Sequence, residues 1–326
     1  MEHMNNEILN NLMDEKIALL TLAGLKGVGY WALYKHLSEG KPLSPLLAFS
    51  EKAEVEHALR VKISAESENW QAYIGDAISK AKVQYEQFDK AGIRLILNGE
   101  DCFPECLSSI PDAPQWIFVQ GNYELLGKNS VGIVGTRKPT EDGIFLARYA
   151  VASLARLEIP TVSGLATGID QVVHEESLRY KIPTVAVLGT GIYSNYPAGS
   201  EGLRASIIEN GGTILTEYLP HQGYSSENFI RRNRLQAALS RLLMPIEWRI
   251  KSGTAHTVAY AHKYGKKIIN IYLPGSYESR PELSFSEKNY QATSYVAPND
   301  KNLVVEVVRV VTAPKIKPLI QAALDI

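Results

Sequence analysis

"TVSGLATGIDQVVHEESLRYKIPTVAVLG", residues 161–189, reads as a strand, a glycine-bearing loop, a helix and a second strand. The apolar runs "TVSG" and "TVAVLG" (184–189) flank a segment with helical spacing from about Asp170 to Tyr180. The alternation continues on both sides. "SVGIV" (130–134), "TILTE" (213–217), "LLMPIE" (242–247) and "KIINIYLPG" (267–275) read as strands, with helices expected over 141–157, 200–210, 231–241 and 254–264. Short apolar strands separated by helices specify an α/β, doubly wound, mostly parallel sheet, because helices cover both of its faces. Two earlier runs, "IRLILNG" (93–99) and "WIFVQG" (116–121), are also strand-like, and the Pro-rich "FPECLSSIPDAP" separates them.

Residues 1–90 read as helical instead, so the expected organisation is a small helical domain over 1–90 and an α/β domain over 91–326. A chain of 326 residues is long enough for two such units and a sizeable core. In "LKGVGYWALYKHL" (25–37) a Gly-Val-Gly turn joins two apolar segments. It resembles a helix-hairpin-helix or SAM-like unit, whose second helix can turn its amides to a phosphate, but a single Gly-x-Gly favours a plain helix–helix turn.

The totals exclude several classes. The net charge of −1 leaves no global basic surface, so a nucleic-acid site must be a local patch. Cys102 and Cys106 are the only cysteines, without the second pair a zinc site needs. Histidines and carboxylates show no metal spacing, so neither metal nor cofactor is expected. The apolar run from Ile17 to Leu25 is too short to span a bilayer, and a cytoplasmic protein with two free thiols is expected.

In a doubly wound sheet the ligand crevice lies beyond the carboxyl ends of the strands. Those ends read Gly135-Thr136-Arg137, Ser163-Gly164, Gly189-Thr190-Gly191, Thr216-Glu217, Glu247 and Pro274-Gly275. Small residues there let a ligand approach the backbone. "GTGIYS" (189–194) lacks the third glycine of a dinucleotide fingerprint, and no P-loop occurs. Leu178 stands where a zinc-protease helix needs its second histidine, and Ser163 lacks a nucleophile elbow. No catalytic residue is therefore assigned.

Ser163 and Gly164 suit an anion site at a strand end. Asp170 precedes the apolar helix and is expected to cap it, with Gly168 bending the loop and His174 on the same face; chemistry at Asp170 and His174 is the alternative. The second feature is "FIRRNRLQAALSRLLMPIEWRIK" (229–251), with Arg231, Arg232, Arg234, Arg241, Arg249 and Lys251 against one acid, Glu247. Arginines beside Phe229 at a helix start suit a phosphate chain with a base to stack.

"VGIVGTR", "SGLATGID…H", "AVLGTGI…YP", "LTE", "F…RRNR…AALS", "IE…SGT…T" and "LPG" follow one another in the order of the DNA-processing protein A (DprA, or Smf) family. The sequence resembles that family over about 130–275, and more loosely over "FPECL…APQWIFVQG". The resemblance implies an extended Rossmann fold that binds single-stranded DNA, forms a homodimer and loads the RecA recombinase during natural transformation. The DNA-contact residues it implies are Arg137, Ser163, Gly164, Arg232, Asn233 and Arg234; Gly135, Thr136, Phe229, Ser252, Gly253 and Thr254 complete the expected DNA- and phosphate-binding set. Gly168, Asp170 and His174 shape the loop.

The chain departs from the family pattern at four places. Trp248 replaces a small residue after the strand-end Glu247, which is expected to put a bulky group near the groove. Tyr193 stands in place of an Asp. "GSYESRPELSFSEKNYQATSYVAPND" (275–300) matches no family segment, and no winged-helix domain is evident, although "NLVVEVVRVV" (302–311) is expected to pack on the sheet as a strand or a helix. The alternative function is a nucleotide sensor of the wider fold group. Hydrolysis of the "Lonely guy" phosphoribohydrolase type is disfavoured, because the order and glycines of that site are not reproduced.

Overall fold

The computed structural model describes residues 2–65, 69–298 and 301–313. Four helices come first: α1 (Glu2–Ala23), α2 (Tyr30–Ser38), α3 (Lys52–Leu59) and α4 (Trp70–Lys90). Next come β1 (Ile93–Leu97), α5 (Glu105–Ser108), β2 (Trp116–Gly121), β3 (Ser130–Gly135), α6 (Glu141–Leu154), β4 (Thr161–Ser163), α7 (Ile169–Arg179), β5 (Thr184–Val187), α8 (Glu201–Glu209) and β6 (Thr213–Thr216). The chain continues with α9 (Ser226–Leu239), β7 (Ser240–Ile246), α10 (Gly253–Lys263), β8 (Lys267–Tyr272), α11 (Pro281–Tyr290), β9 (Thr293–Val296) and α12 (Lys301–Thr312).

The strands form one sheet in the order β1-β2-β6-β5-β4-β3-β7-β8-β9. β2 runs antiparallel to both β1 and β6, and the pairings from β6 to β9 are parallel. The fold is therefore the α/β, mostly parallel, Rossmann-like sheet that the apolar runs specify. From β3 the chain winds through β4, β5 and β6, then returns to lay β7 on the other side of β3. The order reverses at β3, and in such sheets the crevice opens where loops diverge at the reversal.

Two segments gain definition. Residues 302–311 lie in a helix, α12, whose Leu303, Val307 and Val311 repeat every four residues and pack with Leu242, Met244, Ile269 and Ile271. The segment after Gly275 builds α11 and then β9, which adds a strand beside β8. Trp248 corrects an expectation. Its side chain is buried with Val134, Ala237, Leu243, Val258 and Ile268, so its bulk is taken up in the core between the sheet and α9 and α10.

Apolar packing crosses the change of class at residue 90. Leu19, Leu22, Leu33, Trp70 and Phe88 share one core with Leu95, Trp116, Phe118, Ile214 and Tyr218. The Gly-Val-Gly turn owes its shape to close packing. Gly27 has a φ of 108°, and a Cβ there would lie 2.0 Å from the Lys62 carbonyl oxygen. Gly29 then precedes α2 without a side-chain cap.

A buried ion pair fastens this hairpin to the sheet. Glu217, at the end of β6, accepts from Arg234 of α9 at both carboxylate oxygens, with Nη2 to Oε2 at 2.6 Å. Tyr30 of α2 donates to the same carboxylate at 2.6 Å. Arg231 stands 3.7 Å from it and lies 4.6 Å from the ring centres of Trp31 and Tyr34. Arg234 also donates to the Asp112 carbonyl at 3.0 Å. Burial lowers the Arg234 pKa, but the charge and hydrogen bonding of Glu217, together with the Tyr30 and Asp112 charges, outweigh it and the net shift is upward.

Removing one member leaves an unpaired buried charge, which costs about 3–5 kcal/mol. Glu217→Ala should thus unfold at markedly lower urea concentration, and Glu217→Leu combined with Arg234→Met should regain most of the loss. A single variant as stable as its parent would refute this role for the pair.

Candidate nucleic-acid interface

Several helix N-termini converge on the strand ends around β3. α6 begins behind Thr140, whose side chain accepts from Gly143 N at 3.2 Å. Glu247 follows β7 and accepts from Thr140 N at 2.9 Å. Its carboxylate thus complements the α6 dipole and ties the β3 and β7 loops together. α10 begins behind Ser252, whose Oγ accepts from Ala255 N. α7 begins behind Gly168, with φ 93°. A Cβ on Gly168 would lie 2.5 Å from the Thr136 carbonyl oxygen and 2.8 Å from Arg137 Cα. That glycine lets α7 back onto the turn that carries Arg137, and Ile169 N donates to Thr136 O at 3.1 Å.

The sequence candidates separate into a surface set and a buried set. Arg137 and Gly253 are exposed, while Gly135, Thr136, Phe229 and Ser252 are partly so. Lys138, Arg249 and Lys251 add exposed cations on the same two loops. Lys138 was not singled out in the sequence, although it directly follows Arg137. Thr254 is buried, and its hydroxyl donates to Gly135 O at 2.9 Å, which locks α10 to the end of β3.

The arginine motif lies deeper than its composition implies. α9 starts at Ser226 behind a Ser225 cap, five residues earlier than the apolar pattern indicates. Arg231, Arg232 and Arg234 consequently fall beyond the first turn and not at its N-terminus. Arg232 is 3% exposed and donates through Nη1 to Gly164 O at 2.7 Å and to Val187 O. Asn233 is buried and donates to Gly253 O at 2.9 Å. Arg234 is held in the Glu217 pair. All three tie strand and helix ends together, so their removal carries a packing cost that a strand-end surface position would not.

Asp170 also departs from expectation. Gly168 is the cap position, and the Asp170 carboxylate lies under the crevice instead of capping α7. It is buried within reach of the Ser163 hydroxyl and the amides of Ala166 and Gly135. Burial raises its pKa, and the Arg232 charge opposes that rise. Ser163 is fully buried, with its Oγ 2.7 Å from Ile133 O. A Cβ on Gly164 would lie 2.6 Å from both Asp170 Oδ2 and Gln236 Nε2, and 2.7 Å from Arg232 Nη1. The side chains that require a glycine here belong to the protein itself, so a bulky residue at 164 should harm folding first.

His174 is fully buried, with Nδ1 2.8 Å from the Thr184 hydroxyl. Burial, with the Arg232 charge second, lowers its pKa to about 3.

An aromatic ledge borders the crevice. Tyr196 lies 4.7 Å from Tyr224 and 5.0 Å from Phe229 between ring centres, and the Arg137 guanidinium sits 5.0 Å from the Phe229 centre. Phe229 presses onto Gly189, where a Cβ would come within 2.5 Å of the ring. Tyr193, on the neighbouring loop, stacks on His221 at 5.1 Å.

The buried imidazole gives a test. The unfolded chain takes up a proton on His174 below about pH 6.5, whereas the folded chain resists until about pH 3. His174 therefore favours the folded state above pH 6.5, and that advantage falls by up to about 1.4 kcal/mol per pH unit on acidification toward 3. Asp170, with its raised pKa, acts in the opposite sense: its folded form holds the proton more tightly, which favours folding at low pH. Urea unfolding from pH 7 to 4 should show a shallower loss for His174→Phe than for the parent. Parallel curves would rule out the buried neutral imidazole.

A sequence profile of the DNA recombination-mediator protein A family matches residues 94–300. The chain is 36% identical over 177 residues to the DNA processing protein DprA of Streptococcus pneumoniae, covering 54% of this chain and 61% of that one. It is 32% identical over 184 residues to protein Smf of Escherichia coli, covering 56% and 48%. The matched region thus spans about half to three-fifths of those relatives' lengths. The X-ray structure of the S. pneumoniae protein superposes with a TM-score of 0.60 at 24% identity, over 86% of this chain and 94% of that one, and shows the shared fold. A structure of DNA processing protein A from Helicobacter pylori, described for its single-stranded DNA binding mode, superposes with a TM-score of 0.58 at 25% identity, over 67% and 96%. With the profile spanning well over half of its residues, the chain belongs to the DNA recombination-mediator protein A family.

Proposed function

We propose that the chain binds single-stranded DNA, without catalysis, along the carboxyl ends of β3, β4, β5 and β7. The observation that carries this reading is Arg137. It projects from the switch-point strand, exposed, with its guanidinium against an aromatic ring and helix N-termini around it. Such a site attracts a phosphate through the cation and through helix-end amides, and offers rings to the bases. Gly135, Thr136, Arg137, Ser252 and Gly253 form the phosphate surface, with Lys138, Arg249 and Lys251 at its rim. Ser163, Gly164, Thr254, Arg232, Asn233 and Arg234 form the frame beneath it. The H. pylori relative described for single-stranded DNA binding supports this reading. A homodimer and a RecA-type recombinase as partner belong to the same proposal and rest on family membership.

Oligo-dT titrated by fluorescence anisotropy at several salt concentrations should give a log–log slope of roughly −0.7 per neutralised phosphate. Affinity indifferent to salt, or equal competition by free mononucleotides, would overturn the reading and favour a nucleotide sensor. Arg137→Ala should weaken binding by roughly 10- to 150-fold, the scale of one charge-assisted contact, and leave the melting temperature unchanged. Arg232→Ala should lower the melting temperature as well. Unaltered affinity in Arg137→Ala would move the site elsewhere.

A further inference from the structure

The family motifs contribute two aromatics to the crevice, Tyr196 of "YP" and Phe229, and the Phe229 ring is already engaged. The Arg137 guanidinium lies over it at 5.0 Å, Tyr196 is 5.0 Å away, and the Gly189 backbone is in contact with its edge. Tyr224 has a different environment. It is 66% exposed in the loop before α9, outside the motifs that define the family resemblance. Its ring lies 4.7 Å from Tyr196 at 32°, and 6.4 Å from Phe229 at 20°. The three rings therefore form a triangle with Tyr196 at its corner, Phe229 on the guanidinium side and Tyr224 on the solvent side.

A tyrosine held at low tilt against two further rings loses little conformational freedom when a flat partner settles on it. Stacking of this kind is tolerant of sequence, because every base presents a π-face. The cations beside the rings, Arg137 and Lys138, complement a phosphate backbone, which joins the flat partner to an anionic chain.

We infer that Tyr224 is the base-stacking residue of this chain: an unpaired nucleobase lies on its free face, while the phosphate of the same strand sits at Arg137. Phe229 and Tyr196 act as the buttress that holds Tyr224 in place, and Phe229 also seats the guanidinium. The inference rests on the single-stranded DNA reading above and assigns the base contact within it.

The test compares the parent with Tyr224→Ala and Tyr224→Phe, using oligo-dT and an abasic oligonucleotide of equal length. Tyr224→Ala should bind oligo-dT about tenfold more weakly, with the salt slope unchanged, and Tyr224→Phe should match the parent. The abasic strand should bind the parent and Tyr224→Ala equally, because it has no base to stack. Melting temperatures should agree among the three proteins, since the ring is exposed. Oligo-dT affinity of Tyr224→Ala within twofold of the parent, or an equal loss on the abasic strand, would overturn the inference while leaving the DNA reading intact. A parent that binds neither strand would overturn both.

Discussion

The carboxylate of Glu217 is the constraint on which the remaining architecture depends. A buried negative charge is tolerated only where partners surround it, and here they come from separate elements. Arg234 engages it from α9, Tyr30 donates from α2, and Arg231 stands close with its guanidinium among the α2 aromatics. Asp112, in the loop between α5 and β2, meets the outer side of Arg234, and Tyr264 after α10 donates to Asp112 at 2.9 Å. One ion pair thus couples the helical hairpin, the end of β6, the arginine helix and the region after α10. With α9 fixed, Phe229 has a set position over Gly189, and Arg232 reaches back beneath the crevice.

Arg232 organises the next layer. Its guanidinium bonds carbonyls at the ends of β4 and β5, beside the carboxylate of Asp170. Burial lowers its pKa, and Asp170 opposes that shift. The crevice floor is consequently a compensated pair surrounded by small residues, and His174 stays neutral nearby. Free charge is left to the rim, where Arg137, Lys138, Arg249 and Lys251 face solvent. This division explains how a chain with a net charge of −1 can present a local basic surface.

Much of the fold was legible because its central strands are buried on both faces. The strand over 116–121 has the bounds its apolar run indicates, and the parallel sheet follows from strand–helix alternation. α11 and β9 were not legible: their segment mixes polar and aromatic residues without a clear period, and β9 is only partly buried. The site was legible as a region more than as a set of roles. Glycine-rich strand ends and an arginine cluster mark the correct edge of the sheet. Composition cannot show whether an arginine faces solvent or bonds a carbonyl inward, and Arg232 and Arg234 do the latter. Gly164 reads as space for a ligand until the neighbouring Asp170 and Gln236 side chains are seen to fill that space. Tyr224 carries no motif signal, because its exposure and its ring neighbours are tertiary properties.

Hydrogen–deuterium exchange, measured with and without saturating oligo-dT, tests the location of the site most directly. The account predicts slowed exchange over 135–140, 189–196, 222–230 and 249–254, with α3 and α12 unaffected. Protection confined to the α1–α2 hairpin, with the strand-end loops unchanged, would contradict it.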